Sequence, residues 1–115
     1  MLRFSQCVRA VVAAMSIGAS IGDLAAGERP VTFEHDIQPL LTRFGCNSGA
    51  CHGKSRGQNG FALSLLGFDS DFDYASITRE GRGRRISSSA PASSLLLDKA
   101  TGRMPHGGGA RFTVD

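Results

Sequence analysis

The sequence contains no tryptophan and a single tyrosine, and its 115 residues are enough for one small domain. Such a domain has a small core and often needs a staple, which is a disulfide, a metal or a cofactor. Only three cysteines are present, and Cys7 falls in a segment that we expect to be removed. Cys46 and Cys51 could therefore form at most one disulfide, which would close a very short loop.

A strong excess of charge is also missing. The formal net charge is +3, and removing Arg3, Arg9 and Asp23 with the N-terminal segment leaves 11 basic and 9 acidic side chains, hence +2. This balance is too mild to indicate nucleic-acid binding. The sequence also shows no Ser-His-Asp set, carboxylate pair or phosphate-binding loop, so we expect no enzyme activity of its own.

No apolar run is long enough to predict a membrane span. Residues 1–9 are basic, residues 10–21 are apolar or small, and the run ends in Leu-Ala-Ala-Gly at residues 24–27. This pattern is typical of a secretory signal peptide, with an uncleaved membrane anchor as the alternative. We expect a signal peptide over 1–26, a linker over 27–32 and a domain over 33–115. The mature protein should be periplasmic or extracellular, with no stable membrane insertion.

The most informative motif is Cys-Asn-Ser-Gly-Ala-Cys-His at residues 46–52. Covalent haem attachment needs this order, because each thiol can add to one vinyl group while the adjacent imidazole binds the iron axially. Four residues separate the cysteines instead of the usual two, which is a rarer variant in c-type cytochromes. The motif predicts haem c held by Cys46, Cys51 and His52.

A predicted helix over residues 33–44 leads into this motif. Its apolar residues recur at spacings of three and four and give one apolar face: Phe33, Ile37, Leu40, Leu41 and Phe44. Because Pro39 is tolerable only in a first turn, the helix proper should begin near Asp36. Gly45 should end the helix.

Two shorter helices follow. Ser70 or Asp71 should open the first, which runs through Ile77, and residues 94–100 should form the second. Residues 53–60 indicate an exposed loop, and residues 61–68 fit either a short strand or a buried extended segment. We therefore predict a mainly α domain with short helices and long Gly-rich loops.

Two charged segments allow more than one interpretation. Asp69, Asp71 and Asp73 alternate as in a calcium loop, but the required Gly and terminal Glu are absent, which favours helix capping. Residues 79–85 contain four arginines. These could form a solvated loop or a phosphate or partner patch, or a pair of them could reach haem propionates.

The second axial ligand of a haem would come from residues 103–109, Arg-Met-Pro-His-Gly-Gly-Gly. Met104 is a soft thioether in a Met-Pro setting and would raise the reduction potential. His106 would give bis-histidine ligation and a lower potential. His35 lies off the apolar face of the first helix, so we expect it to be exposed.

These elements together resemble planctomycete-type cytochrome c domains, which stand at the N-terminus of large secreted proteins. The resemblance covers about residues 30–113 and depends on these segments: 33–39, 46–53, 60–67, 84–85, 94–99 and 105–112. It implies a small cytochrome c-like domain with Cys46 and Cys51 as attachment points and His52 as proximal ligand. It also favours His106 over Met104.

The resemblance further implies that the chain is a fragment that lacks a closing C-terminal helix. An electron carrier of this kind would pass electrons to a redox partner protein or to a downstream domain. Two other functions stay open. Cys46, Cys51 and His52, with His106 or His35, could bind zinc. A Cys46–Cys51 disulfide could instead staple a binding module without haem.

Overall fold

The computed structural model describes residues 29–114, so the predicted signal peptide lies outside the described residues. A π-helical turn over Phe33–Ile37 continues into helix α1, Gln38–Arg43. Helix α2 covers Ser70–Thr78 and helix α3 covers Leu95–Ala100. Short turns of 3-10 type lie at Leu65–Gly67, Glu80–Gly83 and Pro91–Ser93. Residues 29–114 contain no strand, and the mainly helical prediction is confirmed.

The first helical segment starts at Phe33, as predicted, but the α-helix itself begins at Gln38 and not near Asp36. The hydroxyl of Thr32 caps the segment by accepting from the His35 amide. Pro39 is in the first turn of α1, where its missing N–H matters least. A proline ring would collide with the carbonyl four residues earlier in a normal α-helix, and the wider π-helical turn before Pro39 avoids this geometry.

The buried face of α1 is narrower than the predicted one. Leu41 is buried, but Leu40 is 45% exposed, so including Leu40 in the face was wrong. Gly45 ends the segment as predicted, with a φ of 71° that favours glycine. The chain then turns directly into residues 46–52.

Helix α2 is confirmed, although Asp69 caps it in place of Ser70 or Asp71. The Asp69 carboxylate accepts from the Phe72 amide at 2.9 Å. Asp73 lies inside the helix and is fully buried. Its carboxylate accepts from the Ser64 amide at 2.5 Å, the Ser64 hydroxyl at 2.9 Å and the Gln38 side-chain amide at 3.2 Å. These bonds join α1, α2 and the segment between them.

The core is very small. Within residues 29–114 its buried apolar side chains are Leu41, Leu63 and Ile77, and four partly buried ones pack against them: Phe33, Cys46, Phe61 and Leu96. Neither option predicted for residues 61–68 describes the whole segment. Leu63 is buried, but Leu65–Gly67 form a 3-10 turn and Phe68 is exposed. No helix within residues 29–114 is long and apolar enough to cross a membrane.

Two contacts attach the C-terminal half to this core. The Leu96 amide of α3 donates to the Arg85 carbonyl at 3.1 Å. The Phe112 ring packs on Phe44, with centroids 4.9 Å apart, at the end of α1. Residues 103–112 are thereby held next to the cysteine motif.

Candidate functional site

The cysteine motif is a tight loop closed by its own backbone. The His52 amide donates to the Cys46 carbonyl at 3.0 Å, and the Gly53 amide donates to the Ser48 carbonyl at 2.9 Å. A Cβ built on Gly53 would lie 2.0 Å from the Asn47 carbonyl oxygen. Glycine is therefore required directly after the histidine, because no side chain fits there.

The ring of His52 is fixed by a neighbouring hairpin. Gln58 and Phe61 exchange amide-to-carbonyl bonds of 2.9 Å across a two-residue turn. The Phe61 carbonyl also lies 2.8 Å from Nδ1 of His52, which makes Nδ1 the protonated nitrogen. Nε2 therefore carries the lone pair that a metal ligand needs.

His106 has the same arrangement in a different loop. Its Nδ1 lies 2.8 Å from the Gly109 carbonyl, which again leaves Nε2 with the lone pair. A Cβ on Gly108 would approach Cε1 of His106 to 3.0 Å, so this glycine permits the close turn. Contact with a backbone carbonyl is also how protein ligands of metals are commonly oriented.

The two imidazoles form a pair. The ring centroids of His52 and His106 are 6.2 Å apart, and the ring planes differ by 4°. Two imidazoles on opposite sides of one metal ion have centroids about 6 Å apart, given metal–nitrogen bonds of about 2 Å and ring bonds of about 1.33 Å. The observed centroid distance equals that spacing, and the two ring planes are parallel.

Both thiols of the motif are free and half-buried. Nη2 of Arg111 lies 2.9 Å from the Sγ atom of Cys51, and the Arg111 amide donates to the Ala100 carbonyl at 2.7 Å. Burial raises the pKa of the Cys46 thiol, and the Arg111 charge opposes this shift. The structure thus places an arginine cation beside the two thiols.

The electrostatics of the site favour a neutral His52. Burial is the main cause that lowers its pKa, and the charges of His106, Arg85 and Arg111 lower it further, whereas the bond to Phe61 opposes them. A neutral imidazole is the form that binds a metal. At neutral pH His52 is therefore in the neutral form that can bind a metal.

The other predicted residues lie differently. Met104 is 39% exposed, and its amide donates to the Asp98 carbonyl at the end of α3. His35 is exposed, as predicted, with Nδ1 next to the Thr32 hydroxyl at 3.1 Å. The structure thus pairs His52 with His106.

The described residues contain no site in which three or more protein side chains could bind one metal ion. No three side chains among the histidines, cysteines and carboxylates of residues 29–114 are grouped so that they could hold a metal ion. Structural zinc needs four such donors. Haem iron needs only two, since the porphyrin supplies the other four.

Sequence reasoning missed the residues that orient the site. The Phe61 and Gly109 carbonyls, Arg111 and Arg85 were not singled out for these contacts. The Cys51–Arg111 pair spans 60 positions, which no local pattern reveals. The clustered glycines of residues 53–60 were the available signal, because glycine often marks a close backbone approach.

Known proteins give no further identification. The chain matches no protein-family model, no curated protein and no solved structure. The resemblance to planctomycete-type cytochrome c domains stays a prediction, and the function has to follow from the site itself.

Proposed function

We propose that this chain is a haem c electron-transfer domain. The observation that carries the proposal is the parallel pair of His52 and His106, 6.2 Å apart, with each Nδ1 next to a backbone carbonyl. Each Nε2 then carries a lone pair, and in the proposed haem-bound form His52 and His106 would be the two iron ligands that the chain supplies. The two thiols of the same loop add the means of covalent attachment.

The donor set fits haem better than zinc. Two imidazoles satisfy an iron that already has four porphyrin nitrogens, whereas structural zinc needs four protein donors. The thiols of Cys46 and Cys51 are unpaired, as thioether formation requires. The small core also supports the proposal, because a haem would supply the apolar surface that three buried side chains do not.

The chain's own residues would act as follows. Cys46 and Cys51 would hold the porphyrin, and His52 and His106 would supply the protein ligands of the iron. A haem bound in this way supplies one-electron iron chemistry. The domain would therefore act as an electron carrier and not as a catalyst, and it would exchange electrons with a redox partner or a downstream domain.

Three alanine variants test the proposal, in protein exported by a host that attaches haem c. His52→Ala should abolish the low-spin haem spectrum, because the iron loses an axial nitrogen. His106→Ala should give high-spin iron, while Met104→Ala should leave the low-spin spectrum unchanged. His35→Ala is the matched control, since this imidazole is exposed and its Nδ1 contacts the Thr32 hydroxyl.

The outcomes separate the candidate functions. A wild-type spectrum in His52→Ala would contradict the haem assignment. High-spin iron in Met104→Ala but not in His106→Ala would transfer the sixth ligand to Met104. A colourless wild-type protein would refute the proposal, and metal analysis with thiol titration would then distinguish a zinc site from a Cys46–Cys51 disulfide.

A further inference from the structure

Arg85 is a buried cation without a carboxylate partner among the described residues. It is 6% exposed, and the ion pairs within residues 29–114 involve other arginines. Its guanidinium donates to the Ser76 carbonyl at 2.8 Å and to the Gly60 carbonyl at 2.7 Å. Burying a charge without an opposite partner costs folding free energy, so a buried arginine of this kind indicates a structural or functional role.

The guanidinium contacts the hairpin that holds His52. It lies over the Phe61 ring, 4.6 Å from the centroid, while one donor binds the adjacent Gly60 carbonyl. Gly81 closes over the other side, since a Cβ built there would lie 3.2 Å from Nη1. Residues 60 and 61 are thus clamped through one carbonyl and one ring face.

Phe61 in turn contacts His52 twice. Its carbonyl lies 2.8 Å from Nδ1 of His52, and its ring centroid lies 4.5 Å from the imidazole centroid. A shift of the hairpin would therefore rotate the imidazole and weaken the bond that fixes its tautomer. Phe61 thus links Arg85 to His52.

We infer that Arg85 is a positioning residue that, through Phe61, sets the ring plane and the Nδ1–H tautomer of His52. The inference deepens the proposed function and rests on His52 as an axial ligand. It also removes Arg85 from the arginines of residues 79–85 that could reach a haem propionate. The guanidinium of Arg85 is engaged with two carbonyls and a ring, so it is not free to reach a haem propionate.

Arg85→Met tests the inference, because methionine keeps an apolar stem but removes the charge and the donors. Arg84→Met is the matched control, since Arg84 is the exposed neighbour and loses the same charge. Arg85→Lys is the second variant, because an ammonium keeps the charge but not the planar fork. It should give an intermediate result and should fold if the methionine variant does not.

The first readout is electron paramagnetic resonance of the ferric, haem-loaded protein. The anisotropy of a low-spin ferric haem depends on the angle between its two axial imidazole planes, which is 4° between His52 and His106. Arg85→Met should change the signal from that of parallel rings to a different or mixed one. Arg84→Met should leave it unchanged. An unchanged signal in both Arg85 variants would overturn the inference.

The second readout is hydrogen exchange of the His52 Nδ1–H, measured by NMR in the diamagnetic ferrous protein. Arg85→Met should accelerate it by about fivefold, which is the ratio for one net hydrogen bond of about 1 kcal/mol. Equal rates in Arg85→Met and Arg84→Met would refute the positioning role.

The two proposals fail in different ways. If the wild type carries no haem, the proposed function fails. The tautomer of His52 is then determined from the NMR chemical shifts of its ring nitrogens in the full chain without haem. A larger population of the Nε2–H tautomer in Arg85→Met would still support the positioning role. If haem is present and neither readout changes, only the positioning role fails.

Discussion

Replacing Gly57 by alanine should damage both the stability of the fold and the orientation of His52. Gly57 is buried with a φ of 56°, and an added Cβ would lie 2.0 Å from the Phe61 carbonyl oxygen. That carbonyl accepts from Gln58 and contacts Nδ1 of His52. It cannot move away from a new methyl group without weakening both bonds.

Gly60→Ala is the matched control, because Gly60 has a φ of 73° but no atom within 4 Å of a built Cβ. Both variants should lose about 1–2 kcal/mol, since alanine resists the left-handed conformation. Gly57→Ala should lose roughly 2 kcal/mol more, at about 1 kcal/mol for each of two weakened hydrogen bonds.

Urea unfolding followed by far-ultraviolet circular dichroism measures the difference. With a slope of about 1 kcal/mol/M, the midpoint of Gly57→Ala should fall about 2 M below that of Gly60→Ala. The slope should stay the same in both variants. Coincident midpoints would refute the reasoning, because they would show that the hairpin accommodates the methyl group freely.

Other parts of the fold give further predictions. Asp73→Ala should lower the free energy of unfolding by about 3 kcal/mol in the same assay, because it leaves buried donors, including the Ser64 amide, without an acceptor. Asp71→Ala, at an exposed position, should change it by less than about 0.5 kcal/mol. Equal effects of the two variants would contradict the role of the Asp73 carboxylate in joining α1, α2 and the segment between them. Hydrogen bonds from Arg29 and from the Thr32 amide lower the pKa of Asp36 to about 2 in the folded protein, below the ordinary 3.8. The unfolded chain therefore binds more protons between these values, so stability should fall as the pH drops from about 4 to 2. Arg29→Gln should flatten this part of the pH profile, and an unchanged profile would count against the ion pair.

The helices were predictable because their signals are local. Apolar spacing and the break at Gly45 located the first helical segment, and the expected cap at Ser70 or Asp71 located α2, although Asp69 is the cap. The π-helical form of Phe33–Ile37 was not predictable, because apolar spacing does not distinguish it from an α-helical turn. Leu40 was misassigned because a short helix with a small core buries a narrower face than its apolar spacing suggests.

The proposed ligand residues of the candidate site are recognisable from the sequence, but the residues that orient them are not. Cys46, Cys51 and His52 are close in sequence, and chemistry alone indicates their use. The contact of Arg111 with Cys51 and the clamp of Arg85 on Phe61 join distant segments, and a basic residue in a loop is usually solvated. The choice of His106 as the partner of His52 likewise depends on how two loops meet.

The central claim is covalent haem held by Cys46, Cys51 and His52. It is tested most directly by a reduced-minus-oxidised visible spectrum of the exported protein after acid–organic extraction of loosely bound haem. The account predicts sharp haem c bands that survive the extraction and disappear when both cysteines are replaced by alanine. A colourless wild-type protein, or haem that is removed completely by the extraction, would contradict it.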